Sequence, residues 1–217
     1  MVEPTPQLRA AVAALPLFPL PEVVFLPHTL LPLHVFEPRY RQLVLDVMAG
    51  DGILGVPAWA GPAGESGLPP LVPICGVGRI VRHQSLPDGR SNIVLLGLGR
   101  VRLEEELPPE QPYRRWRSVL LADEIGPGGD RALQRAIGTL RLTLGQLRAG
   151  RPTLVHDLER VLNSDRSPSE FLHVLAHVLL QDPADRQAWL EEGTLLGRCD
   201  RALAALVQLL NPDGMDT

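Results

Sequence analysis

The chain has 217 residues, 45% of them apolar, with a net charge of −4 and a pI near 5.9. Those values describe a chain able to bury a sizeable core, with no overall pull toward nucleic acid or anionic membrane. Every basic residue other than histidine is arginine. The absence of lysine excludes a Ser–Lys dyad, a Schiff-base lysine and a phosphate-loop lysine.

Residues 1–13 read as a loose lead-in. Leu15–Leu20 and Val23–Leu26 are short apolar runs broken by proline, which fits edge or irregular strands. Pro16, Pro19, Pro21, Pro27 and Pro32 exclude a membrane helix through this stretch. Leu30–Phe36 is a third apolar run. Pro38 then suits a first helical position, with Glu37 at the helix start. Tyr40, Leu43, Val44, Val47 and Met48 form its apolar stripe, and Gly50 its C-terminal cap.

Ile53–Ala58 reads as a strand and residues 60–70 as a Gly/Pro loop. Val72–Gln84 and Ser91–Glu105 are long strands joined through Leu86-Pro87-Asp88-Gly89-Arg90, a hairpin signal. Their arms share a pattern, Gly76-Val77-Gly78-Arg79-Ile80 and Gly97-Leu98-Gly99-Arg100-Val101. Neither copy opens a helix or has a third glycine, which excludes a dinucleotide loop and leaves bulges or bends in a curling sheet. Tyr113–Asp123 supplies one more strand.

Composition changes at Gly126-Pro127-Gly128-Gly129, giving a β-rich domain over 12–125 and a helical domain over 130–211. Leu133, Ile137, Leu140, Leu144 and Leu147 form a helical stripe ended at Gly150. Thr153 can cap a short helix. Ser167-Pro168-Ser169-Glu170 is a capping box, Asp182-Pro183 marks another helix start, and Thr194 begins a last helix that Asn211-Pro212 stops. The fold class is therefore α+β, with a small bundle following the sheet domain.

No catalytic constellation emerges. Cys75 and Cys199 lie far apart among apolar residues and read as buried thiols of a reducing compartment. His173 and His177 have metal-ligand spacing, but they share a polar stripe with Glu170 and Gln181 that reads as a solvent face. No serine sits in a nucleophile elbow. Arg79, Arg82, Arg90, Arg100, Arg102, Arg114, Arg115 and Arg117 could contact phosphates, yet Glu104, Glu105, Glu106 and Glu110 interleave with them. Phe36, Glu37, Arg39, Tyr40 and Arg41 lie beside the apolar opening run and are the candidate rim of a peptide-binding groove.

The opening stretch carries a family resemblance. Leu15-Pro16-Leu17-Phe18-Pro19-Leu20, Val23-Val24-Phe25-Leu26-Pro27 and Leu31-Pro32-Leu33-His34-Val35-Phe36-Glu37-Pro38-Arg39-Tyr40 resemble the N-terminal substrate-binding domain of Lon-type ATP-dependent proteases. Gly52-Ile53-Leu54-Gly55-Val56, the two glycine-bearing strands, the hairpin and the Tyr113 segment follow in family order. The likeness runs over roughly residues 12 to 210 and is closest to stand-alone bacterial proteins made of this domain. It implies a twisted, PUA-like β pseudo-barrel with one inserted helix, followed by a helical bundle. It also implies a cytoplasmic, non-catalytic module that binds unfolded polypeptides or partner proteins and needs no cofactor. In full-length Lon, ATP and peptide hydrolysis belong to other domains. This sequence has no phosphate-binding loop and no lysine for the protease dyad. The runner-up is a PUA-like RNA binder using the arginine-bearing sheet.

Overall fold

The computed structural model describes residues 5–64, 67–148 and 166–210, and the chain divides into two compact units, Val2–Leu121 and Ala122–Thr217. The first is α+β. It opens with α1 (Pro6–Ala11), a 3-10 turn (Val12–Ala14) and the two-residue β1 (Leu15–Pro16). There follow β2 (Leu30–Val35), α2 (Pro38–Met48), β3 (Ile53–Val56), β4 (Ile74–Ser85), β5 (Ser91–Glu106) and β6 (Arg115–Leu121). The lead-in is thus helical, contrary to expectation. Thr5 accepts a hydrogen bond from the Leu8 amide at 3.3 Å, Pro6 fits the first turn, and Leu8 is buried.

The antiparallel strands run in the order β1-β6-β5-β4-β3. β5 is long enough to carry β4 along one edge and both β2 and β6, in succession, along the other. Residues 17–20 then span the two ends of that order. The Leu17 amide donates to the Arg114 carbonyl at 2.9 Å, and the Phe18 and Leu20 amides donate to Gly55 and Pro57 at 2.8 and 3.1 Å. Pro19 has no N–H to offer, so this stretch makes scattered bonds instead of a ladder.

Val23–Leu26 is not a strand. Val24, Phe25 and Leu26 are buried without ladder bonds, because this segment crosses the inner face of the sheet. The glycines make the crossing possible. A Cβ on Gly76 would fall 2.0 Å from the Phe25 carbonyl oxygen, and one on Gly97 2.3 Å from that of Leu26. Gly78 carries the Phe25 ring in the same way. A bulge does occur where the register slips between Val77 and Gly78. Room for a second layer of chain is the stronger requirement, and spacing alone did not show it.

The hairpin forms as its sequence predicts. The Leu86 amide donates to the Arg90 carbonyl at 2.8 Å, Asp88 accepts from the Arg90 amide at 3.0 Å, and Gly89 takes φ +79°. Helix α2 also starts as predicted. Its C-cap is Ala49, not Gly50, and the left-handed residue is Gly52, whose amide reaches back to the Val47 carbonyl at 2.8 Å. Residues Tyr40, Leu43, Val44 and Val47 pack with Phe18, Phe25, Leu54, Ile93 and Leu95. On the other face of β3 and β4, Leu8, Val12, Leu15 and Leu17 pack with Ile53, Cys75 and Val77.

The second unit holds α3 (Gly129–Arg148), α4 (Pro168–Leu179), α5 (Pro183–Glu191) and α6 (Leu195–Leu210). Leu133, Ile137, Leu140 and Leu144 are buried on α3, as their spacing requires, and α6 packs against both α3 and α4. Ser167 caps α4 through the Glu170 amide at 3.3 Å, Asp182 caps α5 and Thr194 caps α6. The expected Gly150 stop, the Thr153 helix and the Asn211-Pro212 stop lie outside the described residues.

One expectation fails here. His173 does not face solvent: it is 1% exposed. Its Nδ1 accepts from the Trp189 indole N–H at 3.3 Å, and its Nε2 lies 3.9 Å from Asp123. Asp123 pairs with Arg198, 0% exposed, at 2.8 Å, and accepts from the Ser169 hydroxyl at 2.5 Å. A polar stripe on a helix is expected to face outward. Half-buried Asp123 and the buried Arg198 it pairs with supply the polar partners that let a histidine turn inward.

A proline-walled cleft in the sheet unit

The sheet unit contains a cleft of about 140 Å³ built from segments far apart in sequence. The first turn of α2 contributes Arg39 and Tyr40, because Pro38 starts that helix next to the 17–20 segment. Trp59 follows β3, Leu68 and Pro69 come from the Gly/Pro loop, and Leu107, Pro109, Pro112 and Tyr113 come from the β5–β6 connection. The cleft shares Leu68, Pro69, Leu107, Pro109 and Arg114 with a shallower depression that also takes in Pro62 and Pro70. Proline offers no donor, so these walls present rigid apolar surface with little backbone N–H.

The floor is aromatic. Tyr40 stacks on Phe18 with ring centroids 4.2 Å apart, and the Arg39 guanidinium lies 4.6 Å above the Tyr40 ring. Tyr113 donates to Asp46 at 2.7 Å. Burial and then that carboxylate push the Tyr113 phenol up to about 12, and burial also raises Tyr40. Both rings therefore stay neutral and act as hydrophobic surface. Trp59 stands at the mouth, 42% exposed, beside exposed Leu68.

The rim is ionic but internally paired. Arg39 Nε donates to Glu37 at 2.9 Å. Arg114 forks onto Glu106 at 2.6 and 2.8 Å and uses its remaining nitrogen on the Pro69 carbonyl at 2.8 Å. That third bond ties the Gly/Pro loop to the end of the β5–β6 connection. Arg115 pairs with Glu110 at 2.5 Å. The arrangement can hold an apolar side chain and its adjoining backbone. It presents no nucleophile and base in contact.

The five residues expected to act together separate here. Arg39 and Tyr40 line the cleft. Glu37 sits at the N-cap position, makes no side-chain capping bond, and holds Arg39 in place. Phe36 points away, 60% exposed, with its ring 6.2 Å from His34 on β2. Arg41 covers the hairpin turn, where a Cβ on Gly89 would lie 1.9 Å from its Nη2. Sequence reasoning missed Trp59, Leu68, Leu107 and Tyr113. A lone tryptophan just before Gly61-Pro62 was the available signal for the first of them.

A family model of the substrate-binding domain of ATP-dependent protease La (LON) matches residues 14–208. The chain belongs to this family. Among curated relatives, the Lon protease of Cytophaga hutchinsonii is 23% identical over 202 residues, covering 93% of this chain and 24% of the relative. Lon protease 1 of Herpetosiphon aurantiacus is 27% identical over 219 residues, covering 97% and 26%. The chain thus spans about a quarter of the length of these relatives. A Lon N-terminal domain protein from Xanthomonas campestris superposes with a TM-score of 0.59 at 24% identity, covering 88% of this chain and 97% of that one. The N-terminal domain of Mycobacterium avium complex Lon protease gives 0.64 at 13% identity, covering 89% and 98%. At those identities the likeness establishes the Lon N-terminal fold. No described helix is long and apolar enough to cross a membrane.

Proposed function

We propose that this Lon-family domain binds polypeptide, an unfolded chain or a partner protein, without catalysing its hydrolysis. The observation that carries the reading is an apolar cleft, with Trp59 at its mouth, in a chain matched along most of its length by a substrate-binding domain. Prolines and neutral phenols give the cleft an apolar wall for an anchoring side chain. Residues 12–125 carry the binding role and 130–211 form a separate helical domain. Of the five rim candidates, Arg39 and Tyr40 contact the client.

Neither cysteine is an activated nucleophile. Burial pushes the Cys75 thiol up to about 12, and burial with Asp200 pushes Cys199 up to about 11. The Ser169 hydroxyl is spent on Asp123. Two free thiols suit a reducing, cytoplasmic setting. RNA binding through Arg114 and Arg115 is disfavoured because both are already paired with carboxylates.

Fluorescence anisotropy with a labelled, reduced and carboxymethylated albumin tests the reading. Binding should be measurable, and Trp59→Ala should weaken it about tenfold with the thermal melt unchanged. No binding by the unaltered chain would end the proposal.

A further inference from the structure

A second surface lies on the opposite side of the sheet from the Tyr40 core. Strand alternation places residues of like parity on one face. Pairing sets Leu30 opposite Leu96 and Leu96 opposite Arg79, then Pro32 opposite Val94 and Val94 opposite Arg82. These six form two rows across β2, β5 and β4. The same face of β4 continues to Val77 and Cys75, and there Leu8 and Val12, on α1 and the 3-10 turn, cover it. From Arg79 onward it opens: Arg79, Val94 and Leu96 are half-buried, and Pro32 and Arg82 are exposed. Leu30 is 57% exposed and Val81, at the bulge beside Arg82, is 52% exposed.

Five arginines elsewhere in the unit are compensated, whereas Arg41 and Arg102, like those on this face, make no ion pair among the described residues. Arg39, Arg90, Arg114, Arg115 and Arg117 each pair with a carboxylate. Arg79 and Arg82 make no ion pair among the described residues, and the buried Nε of Arg79 has no hydrogen-bond partner there. An apolar strip flanked by two uncompensated guanidinium groups calls for a ligand that is apolar along one stripe and acidic beside it. Three strands span about 10 Å, roughly the width of one helix. The neighbouring part of this face is already covered by a short helical stretch of the chain itself.

We propose that the open β2–β5–β4 face docks an amphipathic helix of a partner polypeptide. Its apolar stripe lies on Leu30, Val94 and Leu96, and its acidic residues lie beside Arg79 and Arg82. The proposal rests on the polypeptide-binding reading but uses a surface separate from the cleft.

The test uses the full chain and three labelled probes. These are a short leucine/glutamate amphipathic helical peptide, its glutamine-for-glutamate twin, and the carboxymethylated albumin. The acidic peptide should bind about tenfold more tightly than its twin. Arg82→Gln and Leu30→Ser, both at exposed positions, should each lower its affinity several-fold, and Trp59→Ala should not. Equal affinity for the two peptides, or loss only in Trp59→Ala, overturns the proposal while leaving the cleft reading intact. Albumin binding without binding of the acidic peptide does the same. Failure of all three probes removes both readings. A labelled oligouridylate whose binding is lost in Arg82→Gln, with the peptide unaffected, reassigns the face to nucleic acid and overturns the proposal.

Discussion

The two units solve the problem of a buried interior differently. In Val2–Leu121 the interior is mainly hydrocarbon, although it also takes in Thr29, Ser91, Ser118 and the Arg100 guanidinium, and its tightest constraint is steric: chain laid directly on chain at Gly76, Gly78 and Gly97. In Ala122–Thr217 the interior is organised by charge. Arg198 is fully buried, with Asp123 beside it, the Glu192 carbonyl accepting from its Nη2 at 2.5 Å, and His173 and Trp189 joined to the same group. The first unit is sensitive to added volume. The second is sensitive to a lost partner, because a buried charge without its counter-charge is costly even where the intact pair adds little net stability.

Four measurements break or sharpen that contrast. Asp123→Ala should cost the most, about 3–5 kcal/mol by urea unfolding, since it strands the Arg198 charge. Replacing both partners, Asp123→Leu with Arg198→Met, should recover much of the loss. If the double variant is as unstable as the single one, burial of charge is not what organises the helical unit. Gly76→Ala should come next, at about 3 kcal/mol, because its Cβ meets backbone that cannot move aside. Gly64→Ala, which has open space around it, is the control and should stay within about 0.5 kcal/mol.

Smaller effects test the local signals. Ser167→Ala should cost about 1 kcal/mol by removing the α4 cap, read as a shift of the urea midpoint. The smallest is a pH effect. The Thr194 backbone N–H holds the Glu192 carboxyl below its ordinary 4.5. A depressed carboxyl contributes stability that is complete above its unfolded value and is lost as pH falls through the folded one. Between neutral pH and the acid limb, Glu192→Gln should therefore make the stability profile shallower, and an unchanged acid limb would count against the assignment.

Much of the fold was legible because short-range rules govern it. Ser167, Asp182 and Thr194 start helices by bonds to amides within three residues, and Asp88-Gly89 turns a hairpin within five. The cleft was half legible: Arg39 and Tyr40 follow from the helix start at Pro38. Trp59, Leu68 and Tyr113 join them only because the 17–20 segment and the β5–β6 connection meet there, and no spacing rule reaches that far.

The sequence by itself determined the family, the order of the elements from Leu30 onward, the starts of α2, α4, α5 and α6, and the exclusion of lysine chemistry. All of these are set by residue identity and by bonds over a few positions. Tertiary structure alone decided the side from which each ambiguous residue is seen. Phe36 turns to the outer face while Tyr40, four residues on, stacks on Phe18. His173 goes inward because Asp123 and Trp189, distant in sequence, await it. The glycine pairs became a crossing point because Phe25 and Leu26 lie over them. In each case the deciding energy is burial against a partner that the local sequence does not name.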